Sequence, residues 1–386
     1  MCTLESVERT MDVPASRREA RLRGRERIRL TALRLDGQLW RLCCNVMDRR
    51  RVRRVPPPAR AASAAPLTEA ACLDPLILTD PARLYAASPP IRPECWETID
   101  ESDGVARERL IFPSTAPGGI VPNDQVSVHF YRPVHRRSSY NLLVLHGIWR
   151  QDQRFEHWFC HELARAGVSS ALLTLPFHWE RAPRDAPSGA LFVSADPLWT
   201  AAAFRQAIMD ARGVLGLLRG RGTPVGVVGF SLGGILAHIL MALEPVDLGM
   251  SVLAGGNIAG IVWESLLTRA HRRAMEARGV TFPRLAALWA AGNPTRYAWR
   301  AKPSRLLMVN AQYDLLVPRH FTEELWRALG QPPIRWLPAG HITTFLFRRA
   351  MMSEILAAMG IERLVGPSRS HMRIPGMRSG SRAEVF

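Results

Sequence analysis

Ser231, Asp314 and His341 are the residues whose types and spacing are best suited to chemistry. Ser231 stands in Gly229-Phe230-Ser231-Leu232-Gly233-Gly234, a Gly-x-Ser-x-Gly pattern set between an apolar run at 225–228 and a helix-forming stretch. A turn this tight strains the serine backbone and leaves no room for side chains at 229 and 233. It lifts the hydroxyl clear of a sheet and aims the unpaired N–H groups of a helix N-terminus, with their positive dipole end, at the same spot. With 28 glycines in 386 residues, such a pentapeptide arises by chance in roughly one chain of this kind in ten, so its strand-to-helix setting carries the reading.

A serine hydroxyl is a weak nucleophile at neutral pH. It needs a base, and an imidazole base needs an acid to fix its tautomer and stabilise its charged form. Asp314 follows an apolar run at 305–309, and His341 follows the last one, at 334–337, in Pro338-Ala339-Gly340-His341. An aspartate before a helix is also a common cap, and a histidine after a strand often faces solvent. Three residue types in the order Ser, Asp, His at three strand ends argue instead for one site. Negative charge developing on a substrate oxygen is best met by fixed backbone N–H groups. Leu232 offers one by its place after the serine. The second is expected from His146-Gly147-Ile148-Trp149, with Ile148 ahead of Trp149.

These residues need a frame. Short β-rich runs at 126–131, 141–146, 169–175, 224–230, 248–253, 305–309 and 334–337 alternate with amphipathic stretches at 155–166, 200–218, 233–243 and 344–359. That alternation predicts helices packed on a mostly parallel sheet. Runs at 96–100 and 109–112 flank Asp103-Gly104 and predict an opening hairpin.

The elbow around Ser231, the His146-Gly147 loop, the Asp314 segment and Gly340-His341 together resemble the α/β-hydrolase superfamily, in particular its esterase, lipase and dienelactone-hydrolase-like members. The resemblance spans residues 90–360. It implies an α/β fold with a doubly wound, mostly parallel sheet and a helical cap insertion, expected at 256–301. It also implies a Ser231-Asp314-His341 triad and acyl transfer without a cofactor or metal. The expected reaction is cleavage of a carboxylic ester through an acyl-enzyme intermediate, with an acyltransferase or a non-catalytic binding protein on the same frame as alternatives. The substrate is not implied. Two departures stand out: the HGGG form of the oxyanion loop is absent, and residues 1–70 match nothing in the superfamily.

Composition narrows the remaining classes. Apolar residues at 47% and charged residues at 22% predict a soluble protein with a packed core. The net charge of +17 raises the question of nucleic acid. Of the 51 basic residues, only Lys302 is a lysine, and residues 1–70 carry 16 arginines against 8 acidic residues. No nucleic-acid-reading module accompanies that charge, so no nucleic-acid partner is expected. Residues 1–70 read as a basic, poorly ordered extension that includes an arginine-rich, helix-compatible segment at 17–35, and 361–386 as a tail. Six cysteines without zinc-like spacing, no secretory core and no apolar run near the ~20 residues of a membrane span predict free thiols, no transmembrane segment and a cytoplasmic location. His157 and His161, four apart, lack the glutamate of a zinc-protease helix and read as an exposed helix face. The expected partner is a small apolar acyl ester, with the oligomeric state left open. The aromatic residues Trp149, Phe177, Phe230 and Trp263 are the candidates to line its site.

Overall fold

The computed structural model describes residues 24, 26–38, 67–91, 96–148, 150–265 and 268–361. In chain order the elements are α1 (26–38), α2 (Glu69–Leu73), β1 (Glu97–Ser102), β2 (Val105–Pro113), β3 (Gln125–Pro133), β4 (Asn141–Leu145), α3 (Arg154–Arg165), β5 (Ser169–Leu173) and α4 (Pro197–Arg219). There follow β6 (Val225–Phe230), α5 (Leu232–Leu243), β7 (Leu248–Val252), α6 (Ile258–Glu264), α7 (Arg269–Glu276), α8 (Phe282–Leu288), β8 (Arg305–Ala311), α9 (Arg319–Ala328), β9 (Ile334–Leu337) and α10 (Arg348–Ala358).

The nine strands form one sheet in the order β1-β2-β3-β5-β4-β6-β7-β8-β9. The first three strands run antiparallel to their neighbours, and β5 through β9 are parallel. β4, β5, β6 and β7 are buried along their whole length, as expected where helices cover both faces of a parallel sheet. Alternate residues divide the core. Leu143, Leu145, Val225 and Val227 pack with α4 and α5, whereas Leu142, Val144, Val228 and Phe230 pack with α3 and α10.

Local chemistry sets the helix boundaries. Pro197 opens α4 behind Asp196, whose carboxylate accepts the Leu198 and Trp199 N–H groups. The predicted closing helix at 344–359 divides into a 3₁₀ turn (Thr343–Phe347) and α10. The predicted insertion at 256–301 contains α6, α7 and α8 between β7 and β8. α9 was not among the predicted elements, although Phe321 and Leu325, both buried and four apart, give it an inward face.

Within 1–70, the expectation of a loose extension does not hold for 26–38. That stretch is helical, and Ala32 and Asp36 on its inner face are buried. Residues 67–70 lead into α2, and the rest of 1–70 lies outside the described residues, as does 362–386 of the tail. No helix among the described residues is long and apolar enough to cross a membrane.

Candidate active site

β4 and β6 are neighbours in the sheet, but the chain leaves β4 toward β5 on one side and leaves β6 toward β7 on the other. Such a reversal opens a crevice at the carboxyl ends of the two strands, the usual ligand position in open α/β sheets. The loop after β4 begins His146-Gly147, and the turn after β6 carries Ser231.

Ser231 has φ 52° and ψ −114°, a left-handed backbone that a side chain disfavours and that costs about 1–3 kcal/mol. The surroundings hold it there: its N–H donates to Val252 O at 2.7 Å, while its carbonyl accepts from Gly234 and Ile235. A Cβ on Gly229 would lie 2.1 Å from Gly233 O, and one on Gly233 would lie 2.3 Å from Leu145 O. The glycines therefore admit a close approach of strand, turn and helix that no other residue would allow.

His341 projects from the loop after β9. Its Nε2 lies 2.9 Å from Ser231 Oγ and its Nδ1 lies 2.7 Å from Asp314 Oδ2. An ionised carboxylate only accepts, so Nδ1 carries the proton and Nε2 is left to accept the Ser231 O–H. The second Asp314 oxygen accepts the Leu316 and Val317 N–H groups, both at 2.8 Å, which fixes the carboxylate in the loop after β8. Burial disfavours the His341 imidazolium, but the charge and hydrogen bond of Asp314 and the charge of Asp36 outweigh it and raise the His341 pKa. Ser231 and His341 are each only 6% exposed.

The loop after β4 is held against the elbow. Gly233 N–H donates to His146 O at 3.1 Å, and a Cβ on Gly147 would sit 3.4 Å from Ser231 Cβ. His146 pins this loop from within the core. Its Nδ1 donates to Gly147 O at 2.8 Å, and its Nε2 accepts from Leu175 N–H at 3.0 Å. Burial, with His178 beside it, holds the His146 pKa well below the ordinary value, so the ring is a neutral scaffold. The N–H of Leu232, at the first position of α5, has no acceptor within its own helix. Ile148 lies half-buried just beyond Gly147.

The aromatic candidates fare differently. Phe230 is 1% exposed and meets Phe155 and Phe159 edge-on, with ring centroids 5.2 and 5.0 Å away, because its place on β6 turns it toward α3. Phe177 is also buried and stacks on Trp199 at 5.4 Å. Both rings belong to the core rather than to a substrate wall. Trp263, half-buried on α6, packs near Phe282 of α8 at 5.7 Å under the Arg272 guanidinium. Trp149 lies outside the described residues.

His157 is another correction. It is half-buried, with one ring nitrogen against the Tyr131 hydroxyl and the other 3.3 Å from Arg107, and burial aided by Arg107 pulls its pKa down to about 3. Among the described residues no group of three His, Cys, Asp or Glu side chains could hold a metal ion. Sequence reasoning missed Asp36, whose carboxylate accepts the N–H groups of Ile342 and Thr343 directly beside His341. No local pattern signals a contact across 306 positions of chain.

No family model matches the chain. Among curated proteins, "Uncharacterized protein YdjC" of Bacillus subtilis (strain 168) is 20% identical over 108 residues, which is 28% of this chain and 93% of that protein. Among solved structures, the acetyl xylan esterase from Paenibacillus sp. R4 superposes with a TM-score of 0.55 at 16% identity, covering 76% of this chain and 96% of the other. Acetyl xylan esterase 1 from Thermoanaerobacterium sp. JW/SL YS485 gives 0.54 at 15% identity, with 76% and 95% covered. A cold-adapted esterase from an Arctic intertidal metagenomic library, bound to PEG, gives 0.50 at 15% identity, with 70% and 100% covered. At these identities the likeness concerns the course of the backbone.

Proposed function

We propose that this chain, which has the α/β-hydrolase fold, is a serine hydrolase that cleaves carboxylic esters through an acyl-enzyme on Ser231. The observation that carries this reading is the unbroken line from Asp314 Oδ2 through the His341 ring to Ser231 Oγ, with links of 2.7 and 2.9 Å. In this mechanism Ser231 Oγ attacks the ester carbonyl while His341 Nε2 takes its proton, and Asp314 stabilises the imidazolium so formed. The Leu232 and Ile148 N–H groups receive the oxyanion. As the tetrahedral intermediate collapses, His341 returns the proton to the leaving alcohol. Water then attacks the acyl-enzyme with His341 again as base, and the carboxylic acid departs.

Esterases and an acylaminoacyl peptidase both stand among the similar folds, so the ester is read from the prevalence of esterases, and fold alone does not choose the substrate. With Phe177 and Phe230 assigned to the core, the reading of a small apolar acyl ester rests on α6–α8 as a cap, with Trp263 on its wall. The reading includes a cytoplasmic location, in keeping with the free, buried Cys72 and Cys160.

A fluorophosphonate probe tests the chemistry. It should label the wild-type protein at Ser231, and Ser231→Ala should abolish both labelling and hydrolysis of a panel of acyl esters. A folded wild-type protein that neither labels nor hydrolyses any ester of the panel would end this reading. Adding a competing alcohol separates hydrolysis from acyl transfer by the products formed.

A further inference from the structure

The geometry points to Asp36, on the N-terminal helix α1, as a positioning residue that holds the loop carrying His341 in register with Ser231. This inference rests on the proposed role of His341 as the base.

His341 sits between β9 and the 3₁₀ turn Thr343–Phe347, which runs directly into α10. The first N–H groups of such a turn have no partner of their own, and this turn has no side-chain cap from its own N-cap residue, Ile342. Asp36 supplies the cap from the far end of the sequence. Its Oδ2 accepts the Ile342 N–H at 3.1 Å and its Oδ1 accepts the Thr343 N–H at 2.9 Å. The carboxylate also fills the space where Gly340 lacks a side chain, since a Cβ there would lie 2.1 Å from Oδ2. Asp36 is 2% exposed. Gly340, Ile342 and Thr343 thus meet one carboxylate on both flanks of His341.

α1 and this segment share an open cleft of about 280 Å³, lined by Arg27, Ile28 and Leu35 of the helix and by Pro338, Leu346 and Phe347. Ala32, on the same inner face of α1, is buried as well, while the hydrogen bonds to Ile342 and Thr343 both come from Asp36. The groups facing His341 are Asp314 from the loop after β8, Ser231 from the elbow and Asp36 from α1, with Arg27 lining the cleft on the same helix as Asp36. Both carboxylates favour the imidazolium, so the Asp36 charge acts on the base as well as on the loop. Each N–H meets its own oxygen here, so an asparagine in the same pose keeps one acceptor and turns its NH₂ toward the other N–H, two donors face to face.

The test uses Asp36→Asn and Asp36→Glu in the full chain, with a water-soluble nitrophenyl ester and with NMR titration of the His341 ring. For Asp36→Asn, kcat should fall about tenfold to a hundredfold with KM unchanged, the cost of a slightly misplaced base. The acid limb of kcat/KM and the His341 titration should both move to lower pH, and Asp36→Glu should recover part of the loss. A mere anchor for α1 would lower thermal stability and leave these readouts in place. A folded Asp36→Asn protein with wild-type kcat and an unmoved His341 titration overturns the proposal. The NMR titration needs no turnover, so absence of Ser231 labelling in the wild type would sink the hydrolase reading separately.

Discussion

Gly229→Ala is the sharpest single perturbation of the elbow. The added Cβ would lie 2.1 Å from Gly233 O, 2.3 Å from Gly233 C and 2.6 Å from Gly234 N, all backbone atoms of the first turn of α5. No side chain can rotate away to relieve this. Opening the 2.1 Å approach to an ordinary contact distance near 3.5 Å requires strand and helix to separate by about 1.4 Å. That shift moves Ser231 Oγ and the Leu232 N–H against a His341 ring anchored by another loop, so the 2.9 Å link is lost. A displacement of about 1 Å costs on the order of 100-fold in rate, and overpacking of this kind costs about 1–3 kcal/mol in stability. Gly216→Ala serves as the control. Gly216 lies on the exposed side of α4 with nothing within 4 Å of the added Cβ, and should gain about 0.5–1 kcal/mol. The rate of fluorophosphonate labelling and the thermal midpoint are measured for both variants. Wild-type labelling and an undiminished midpoint in Gly229→Ala would refute the argument from close approach.

Asp314→Asn keeps the acceptor for Leu316 and Val317 but no longer requires a proton on His341 Nδ1, and kcat should drop by roughly 10³–10⁴-fold at unchanged fold by circular dichroism. The raised His341 pKa gives the pH dependence its sign: the base must be neutral, so kcat/KM falls as pH drops through a value above the ordinary 6.5. The same raised pKa means that His341 stabilises the fold fully below pH 6.5 and loses that contribution as pH rises through the folded value, so the midpoint gap to His341→Gln should narrow with rising pH. Away from the site, Asp210→Ala strands the fully buried Arg181 guanidinium, now 2.9 Å from Asp210 Oδ2, and should cost about 3–5 kcal/mol in urea unfolding.

The site was legible where chemistry imposes a local pattern. Glycines at 229 and 233 are forced by backbone contact, and a strand end followed by Asp or His is visible as a short apolar run that stops ahead of the residue. The aromatic wall was not legible. Phe230 has a side set by the strand register alone, and the register that lifts Ser231 toward the crevice sends its neighbour to the face covered by α3. Phe177 resembles a loop residue in sequence, yet its N–H is tied to Asn123 and its ring to Trp199, contacts that depend on distant chain. Asp36 was hidden for the same reason, amid an arginine-rich stretch whose composition suggests a solvated tail.

The alternative of a non-catalytic protein on this fold has to account for the site's energetics. Ser231 holds a left-handed backbone at a cost of about 1–3 kcal/mol, relieved by any change that relaxes the turn. The Asp314 side chain is 4% exposed and the His341 side chain 8%, so both are largely desolvated, a cost that apolar residues of similar size would avoid. The strain weakens the fold, and the desolvation sets a cost against the Asp314–His341 attraction, while together they bring Ser231, His341 and Asp314 into one line. A scaffold gains nothing from that exchange, whereas acyl transfer requires every part of it. Strain, burial and alignment together therefore weigh against a non-catalytic site more than the presence of the three residue types alone.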